Sequence, residues 1–274
     1  MHALVLGLLA LAAALARAAL FPRGGAVHEV TQHTFAAQVR DIEKPTLVAF
    51  TAPWCGHCQR LAPEFARAAA TLDGVVKFVN VDCENAASRA LCAQYGVQGF
   101  PTLKLFPATK KRLPRDYTGA RSAQALVDYA VDAVPLSAVR KLEPAELVAH
   151  VRAATKPVVV LFSSKSRSSA MYRAVALDHR RAASFVFVSR GTSADVREAA
   201  RELGVDLARP PLLVAFSGGV HAYDGKMKYA EIAKWVGEVT RKGTGGAKKA
   251  AEAASGSPAS ASASTTPRTS TAST

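Results

Sequence analysis

The sequence predicts an α/β protein made of two tandem domains of the same kind, each with a mixed central sheet flanked by helices. The length of 274 residues allows two domains of about 100 to 120 residues, and a hydrophobic fraction of 49% can fill two cores. Strands and helices alternate along the first half, which is typical of a parallel β-α-β unit. The second half repeats the order of the first, which indicates an internal duplication.

The first domain is expected at 26–135. It opens with a short strand, Val27-His28-Glu29-Val30, and a helix capped by Thr34, with Phe35, Val39 and Ile42 facing inward. Apolar runs and helical spacing then predict a buried strand, a helix bent by Pro63, a second buried strand and a second helix. A strand opened by a proline, a last strand with its turn, and a closing helix complete the domain. The segments in order are 46–50, 59–72, 74–82, 84–95, 99–106, 117–121 and 122–134.

The chemistry is concentrated in Trp54-Cys55-Gly56-His57-Cys58, where the first buried strand meets the first long helix. Cys55 falls where a helix leaves unpaired N–H groups and the positive end of its dipole, and both favour a thiolate. We therefore expect the pKa of Cys55 to lie below the reference of about 8.5 for a free thiol. His57 adds a donor or cation near the same sulfur, which stabilises the reduced dithiol and makes the disulfide a better oxidant.

This motif, followed by Phe100-Pro101-Thr102, resembles protein disulfide isomerases of the thioredoxin superfamily, especially small fungal-type members with one catalytic and one redox-silent domain. The resemblance implies two thioredoxin-like domains, with Cys55 as nucleophile and Cys58 as resolving cysteine. It also implies that Pro101 is cis and that its loop faces the thiols, so that the backbone there can pair with a bound peptide. Trp54 and Phe100 would then contact unfolded clients.

The resemblance raises two further expectations about the proton chemistry. An arginine after the Tyr-x-Gly turn, here Arg121, can approach the second cysteine and lower its pKa; the alternative is a solvated arginine at a helix start. Family members usually carry a buried glutamate and a nearby lysine beside the motif, and these places hold Ala49 and Asn80. The proton of Cys58 must then travel by water or by another group.

Cys83 and Cys92 form the other cysteine pair, and some relatives have a structural disulfide in this region. A straight helix between them would separate the Cα atoms by about 13 Å, which is too far for a disulfide. A bond therefore requires residues 83–85 to fold back before the helix starts. The alternative is two free buried thiols.

The second domain is expected at 143–240. Its segment 156–162 matches 44–50, 209–212 matches 99–102, and 223–225 matches 117–119. Arg167 and Ala170 stand where the two thiols would be, so this domain can only support the first or hold a partner. The segment 241–274 consists mainly of small residues and is predicted to be a disordered tail.

The N-terminus predicts a secretory address. An apolar stretch from Ala3 to Leu15 precedes Ala16-Arg17-Ala18, which predicts a signal peptide at 1–18 with cleavage near Ala18. The alternative, an uncleaved anchor helix, is disfavoured because the stretch is short for a membrane span, so we expect no membrane span after cleavage. We expect the lumen of the endoplasmic reticulum. The segment 270–274 has no retention signal of the Lys-Asp-Glu-Leu type, which leaves retention by another protein or secretion open.

The net charge of +14 would suit nucleic acid or an anionic membrane, but a secreted chain has little nucleic acid to meet. We interpret the excess as solvated surface on the tail and on helices, at Arg173, Arg180, Arg181, Arg197 and Arg201.

The predicted function is a protein disulfide isomerase that acts on unfolded or misoxidised secretory proteins, with an endoplasmic reticulum thiol oxidase and glutathione as redox partners. The alternative is a chaperone or adaptor that tethers clients with little turnover. No cofactor and no metal are expected, because no second Cys-x-x-Cys or Cys/His pair completes a zinc site.

Overall fold

The computed structural model describes residues 19–108, 113–191, 193–207 and 212–254, with side chains described as far as Arg241. These residues form two five-stranded mixed sheets, each flanked by helices. The predicted α/β fold with two domains of one kind is confirmed. The predicted signal peptide, the segment 209–211 and the last part of the tail lie outside the described residues.

The first domain has strand order β1-β3-β2-β4-β5, in which β2 is parallel to β3 and antiparallel to β4. Every residue of β2 is buried, which explains why this strand is a continuous apolar run in the sequence. A π-helical turn, Ala36–Arg40, continues α1. The elements are β1 Val27–Glu29, α1 Gln32–Phe35, β2 Thr46–Thr51, α2 Gly56–Thr71, β3 Lys77–Asp82, α3 Arg89–Gln94, β4 Thr102–Phe106, β5 Arg115–Asp116 and α4 Ala123–Asp132.

The second domain repeats this topology, with strand order β10-β9-β7-β8-β6. Its sheet begins at Arg140, three residues before the predicted boundary. No described helix of either domain combines the length and apolar character needed to cross a membrane. The elements are β6 Arg140–Lys141, α5 Pro144–Ala153, β7 Val158–Phe162, α6 Ala170–His179, β8 Ser184–Val188, α7 Ala194–Glu202, β9 Leu212–Phe216, β10 Val220–Ala222 and α8 Tyr229–Ala254.

Several local predictions are wrong at the level of element ends. Helix α1 is capped by Thr31, and the Thr34 hydroxyl accepts a hydrogen bond from the Thr31 N–H at 3.2 Å, so Thr34 lies inside the first turn. Strand β5 ends at Asp116, and the segment 117–121 is a loop. Helix α8 continues to Ala254, well into the predicted disordered tail, where alanine, lysine and glutamate in 247–254 are strong helix formers.

The two domains pack against each other through α6. Ala174 and Leu177 of this helix are buried in the same apolar cluster as Leu72 of the first domain. Arg173, on the same helix, is only 8% exposed, so its prediction as a solvated arginine is wrong. The reason is tertiary, because α6 packs against the first domain.

Candidate active site

Cys55 lies at the start of α2. Strand β2 ends at Thr51, a short turn follows in which the Cys55 N–H donates to the Ala52 carbonyl at 3.1 Å, and α2 begins at Gly56. Cys55 is therefore the N-cap of this helix, where the sequence places it. The position brings its sulfur next to N–H groups that have no partner within the helix.

The two thiols are free, and they differ in exposure. Cys55 is 8% exposed and Cys58 is 1% exposed. Burial raises the pKa of Cys55, but hydrogen bonds from the N–H and thiol of Cys58 and from the N–H of His57, together with the charge of Arg121, outweigh it. The pKa of Cys55 is held below that of an ordinary thiol, which favours the thiolate at this sulfur.

Cys58 is shifted in the opposite direction. Its burial, together with the thiol hydrogen bond to Cys55 and the charge of that neighbour, raises its pKa to about 12, although the Ala52 backbone and Arg121 act against the rise. A thiol of this kind stays protonated near neutral pH. The two thiols of the pair are thus shifted in opposite directions, towards the thiolate at Cys55 and towards the protonated thiol at Cys58.

The loop before β4 forms one wall of the site. The peptide bond Phe100–Pro101 is cis, as the family resemblance implies. The Cys55 thiol lies 3.5 Å from the Phe100 carbonyl oxygen, and the Trp54 ring, 61% exposed, meets the Phe100 ring edge to face at 6.1 Å between centroids. Trp54 and Phe100 therefore form an apolar rim on one side of the Cys55 sulfur, exposed at Trp54.

Arg121 approaches the site from the loop after β5. Its guanidinium donates to the Pro101 carbonyl at 3.4 Å, and its charge lowers the pKa of both Cys55 and Cys58. Arg121 is itself an exposed residue, so its role in tuning the second cysteine stays a prediction.

His57 places a donor beside Cys55 through its backbone, and its role in redox tuning stays a prediction. The contact with Cys55 comes from the His57 backbone N–H, while the ring nitrogen Nδ1 lies 2.9 Å from the Arg60 guanidinium. Gly56 is the first helical residue, and a Cβ there would meet only Arg60, at an ordinary 3.7 Å.

A row of polar side chains crosses the sheet beside α2, and no motif or spacing in the sequence predicts it. Asn80 lies opposite the fully buried Ala49 in β2 and opposite Glu29 in β1. The Thr51 hydroxyl donates to Asn80 at 2.7 Å, and the Asn80 amide donates to Glu29 at 3.0 and 3.1 Å. Burial raises the pKa of Glu29, although its hydrogen bond with Asn80 acts against the rise. The place where relatives usually carry a buried glutamate holds Ala49, and the carboxyl of Glu29 on β1 lies at the end of this row.

Cys83 and Cys92 are joined by a disulfide, with 5.9 Å between their Cα atoms. The bond is possible because α3 begins at Arg89, five residues later than predicted. The turn between the strand and this helix carries the fold-back that the distance argument requires, for example through the Asn85 N–H to the Asp82 carbonyl at 3.2 Å.

The matching place in the second domain has no thiol. Arg167 is exposed in a loop, and Ala170 is the first residue of α6. In the described part of the chain, no three His, Cys, Asp or Glu side chains lie close enough together to hold a metal ion.

Comparisons with known proteins agree with this geometry. The thioredoxin family model matches residues 26–132. A protein of Dictyostelium discoideum named as a protein disulfide-isomerase is 30% identical over 225 residues, which are 79% of this chain and 53% of that protein. Human protein disulfide-isomerase A6 is 46% identical over 134 residues, covering 49% of this chain and 30% of that protein. The crystal structure of full-length ERdj5 superposes with a TM-score of 0.50 at 21% identity, over 78% of this chain and 32% of that one, which bears on the fold alone. The chain thus spans about half or less of the length of the relatives it matches.

Proposed function

Because the chain belongs to the protein disulfide isomerase family of the thioredoxin superfamily, we propose that it forms and reshuffles disulfides in client proteins of the secretory pathway. The observation that carries the proposal is the opposite pKa shift of two free thiols at one helix start, beside an exposed apolar rim. Thiol–disulfide exchange needs this division of roles, because one sulfur must attack and the other must wait.

In the oxidising direction, a client thiolate attacks Cys55 of the Cys55–Cys58 disulfide. That bond breaks, Cys58 takes a proton and leaves as a thiol, and a mixed disulfide joins the client to Cys55. A second client thiolate then attacks the client sulfur of the mixed disulfide, and Cys55 leaves as a thiolate. The client loses two electrons and the dithiol gains them. A thiol oxidase or oxidised glutathione would restore the enzyme disulfide.

In the reshuffling direction, the Cys55 thiolate attacks a wrong client disulfide and releases one client thiolate, which can attack elsewhere in the client. If no exchange follows, Cys58 gives up its proton and attacks Cys55, which frees the reduced client. The exposed Trp54 and the Phe100 carbonyl next to Cys55 lie where an extended client segment would pass.

The test is refolding of a client that carries scrambled disulfides, with wild type, Cys55→Ser, Cys58→Ala and a folded control. Arg67→Ala serves as control, because Arg67 is exposed on the same helix and forms an ion pair with Glu64. We expect Cys55→Ser to abolish turnover, Cys58→Ala to accumulate mixed disulfide, and the control to match wild type. Substantial turnover by Cys55→Ser would exclude the mechanism. A wild type no faster than Cys58→Ala would favour the adaptor role instead.

We also propose the lumen of the endoplasmic reticulum as the working compartment, with residues 1–18 as a cleaved signal peptide. The Cys83–Cys92 disulfide supports this proposal, because such bonds persist in oxidising compartments. Translation in the presence of microsomes, followed by mass spectrometry of the N-terminus, tests it. A protein that keeps Met1 and stays outside the microsomes would contradict it.

A further inference from the structure

The segment that precedes β1 is attached to the helix that carries the thiols. Phe21 is 2% exposed, and its ring lies 5.8 Å from the ring of Phe65 in the middle of α2. The chain then turns at Gly24, which has a φ of +79°, and enters β1 at Val27. Phe21 therefore fixes the position of its neighbour, Leu20, against the same helix.

Leu20 is one of two partly buried apolar side chains that pack on the dithiol. Ala52, Cys55 and Cys58 form a small buried cluster, and Leu20 and Phe100 pack against it. Phe100 belongs to the loop before β4, so it lies on the wall of the site that this loop forms. Leu20 lies near the N-terminal end of the first domain, before β1, and is not part of the motif that contains the two thiols.

Leu20 also borders a polar cavity. A cavity of about 110 Å³ is lined by Leu20 together with Glu29, Thr51 and Asn80, among others. Its volume and polar walls are sufficient for water. One leucine side chain thus contacts both the apolar cluster of the thiols and a space that water can enter.

We propose that Leu20 is a positioning residue for the exchange reaction, because it separates the sulfur of Cys58 from this polar cavity and so keeps water away from the resolving thiol. The inference rests on the proposed function and specifies how the second step of that reaction is controlled. In that step Cys58 first loses its proton and then attacks the sulfur of Cys55. The Cys55–Cys58 bond forms, the bond between Cys55 and the client breaks, and the client leaves as a thiolate. A dry Cys58 loses its proton slowly, which prolongs the mixed disulfide and gives the client time to rearrange.

Shortening Leu20 should open the cavity to Cys58. The measurement is the rate of iodoacetamide alkylation of Cys58 between pH 7 and 10 in a Cys55→Ser background, where Cys58 is the only free thiol. We expect Leu20→Ala to react about tenfold faster, the change that about one unit of thiol pKa would produce. Leu20→Ile should react like the background, because it keeps the volume. Leu136→Ala, an exposed leucine distant in sequence from the site, serves as the matched control.

Equal alkylation rates in folded Leu20→Ala and Leu136→Ala would overturn the proposal. If circular dichroism shows that Leu20→Ala is unfolded, Leu20→Val provides the smaller deletion. An alkylation rate of Leu20→Val equal to that of the Cys55→Ser background would then overturn the proposal. The readout needs no client and no turnover. Faster alkylation of Cys58 in Leu20→Ala, together with failure of the wild-type protein with both thiols to refold scrambled clients, would therefore support the shielding of Cys58 by Leu20 and refute only the proposed function.

Discussion

Lys44 of the first domain and Asp178 of the second form a salt bridge of 3.0 Å across the domain interface. The same ammonium donates to the Gly74 carbonyl at 2.7 Å and lies 4.8 Å from the centre of the Tyr229 ring. The Tyr229 hydroxyl in turn contacts Asp178. Gly74 leaves room for this ring, because a Cβ there would lie 1.9 Å from it. A compact set of side chains outside the active site therefore holds the two domains in one arrangement.

Lys44→Met should lower the free energy of unfolding by about 1 to 3 kcal/mol, since it removes a half-buried pair and leaves Asp178 without its cation. Urea denaturation measures the change. Arg67→Met removes an exposed pair with Glu64 on α2 and should cost less than about 1 kcal/mol. Equal losses in the two variants would show that the interface pair adds nothing beyond a surface pair.

Arg121→Gln should shift the reactivity of Cys55 to higher pH. The positive charge of Arg121 favours the thiolate, so its removal raises the pKa of Cys55 and leaves less thiolate at pH 7. The pH profile of alkylation should move upward, with a severalfold lower rate at pH 7. Arg115→Gln, an exposed arginine in β5, is the control and should leave the profile in place. An unshifted profile in Arg121→Gln would return this residue to the role of a solvated arginine.

The parts that sequence could predict are those decided by neighbours along the chain. The N-cap position of Cys55 follows from a buried strand next to a helical pattern, and the duplication follows from matching segments. The burial of Arg173 and the surroundings of the thiols depend instead on tertiary contacts. Arg173 lies on a helix whose sequence predicts a surface helix, but Ala174 and Leu177 of that helix are buried against the first domain. Glu29 could not be connected to Asn80 without the register of β1 on β3, and Leu20 could not be connected to the thiols without the packing of Phe21.

Removal of the second cysteine pair should affect stability and leave the redox chemistry intact. The double variant Cys83→Ala/Cys92→Ala loses a disulfide that closes a short loop, which should cost about 2 to 3 kcal/mol in the free energy of unfolding. The reduction potential of Cys55–Cys58 should match that of wild type, because the disulfide lies in the apolar cluster on the opposite face of the sheet from α2. Urea denaturation and equilibration with glutathione measure the two quantities. A changed potential would show that the disulfide acts on the active site.

Ala49→Glu should speed the release of mixed disulfides. Ala49 is fully buried on the face of the sheet that carries α2, and Cys58, with a pKa of about 12, has little tendency to lose its proton near pH 7. Burial would raise the pKa of a carboxyl at position 49, which suits it to proton exchange near neutrality. The free energy of unfolding should fall by about 1 to 3 kcal/mol, because a buried carboxyl without partners is unfavourable. Quenched-flow trapping of the mixed disulfide measures the release rate.

The control for this substitution is Ala49→Gln, which has nearly the same size and no acidic proton. A faster release in Ala49→Glu than in Ala49→Gln would assign the gain to proton transfer, since both variants disturb the packing in the same way. Asn80→Lys should restore part of the lost stability, because the ammonium would lie opposite position 49 and beside Glu29. Equal release rates in wild type and in folded Ala49→Glu would mean that the proton of Cys58 already has a route, and the row Thr51–Asn80–Glu29 with its cavity is then the place to interrupt it.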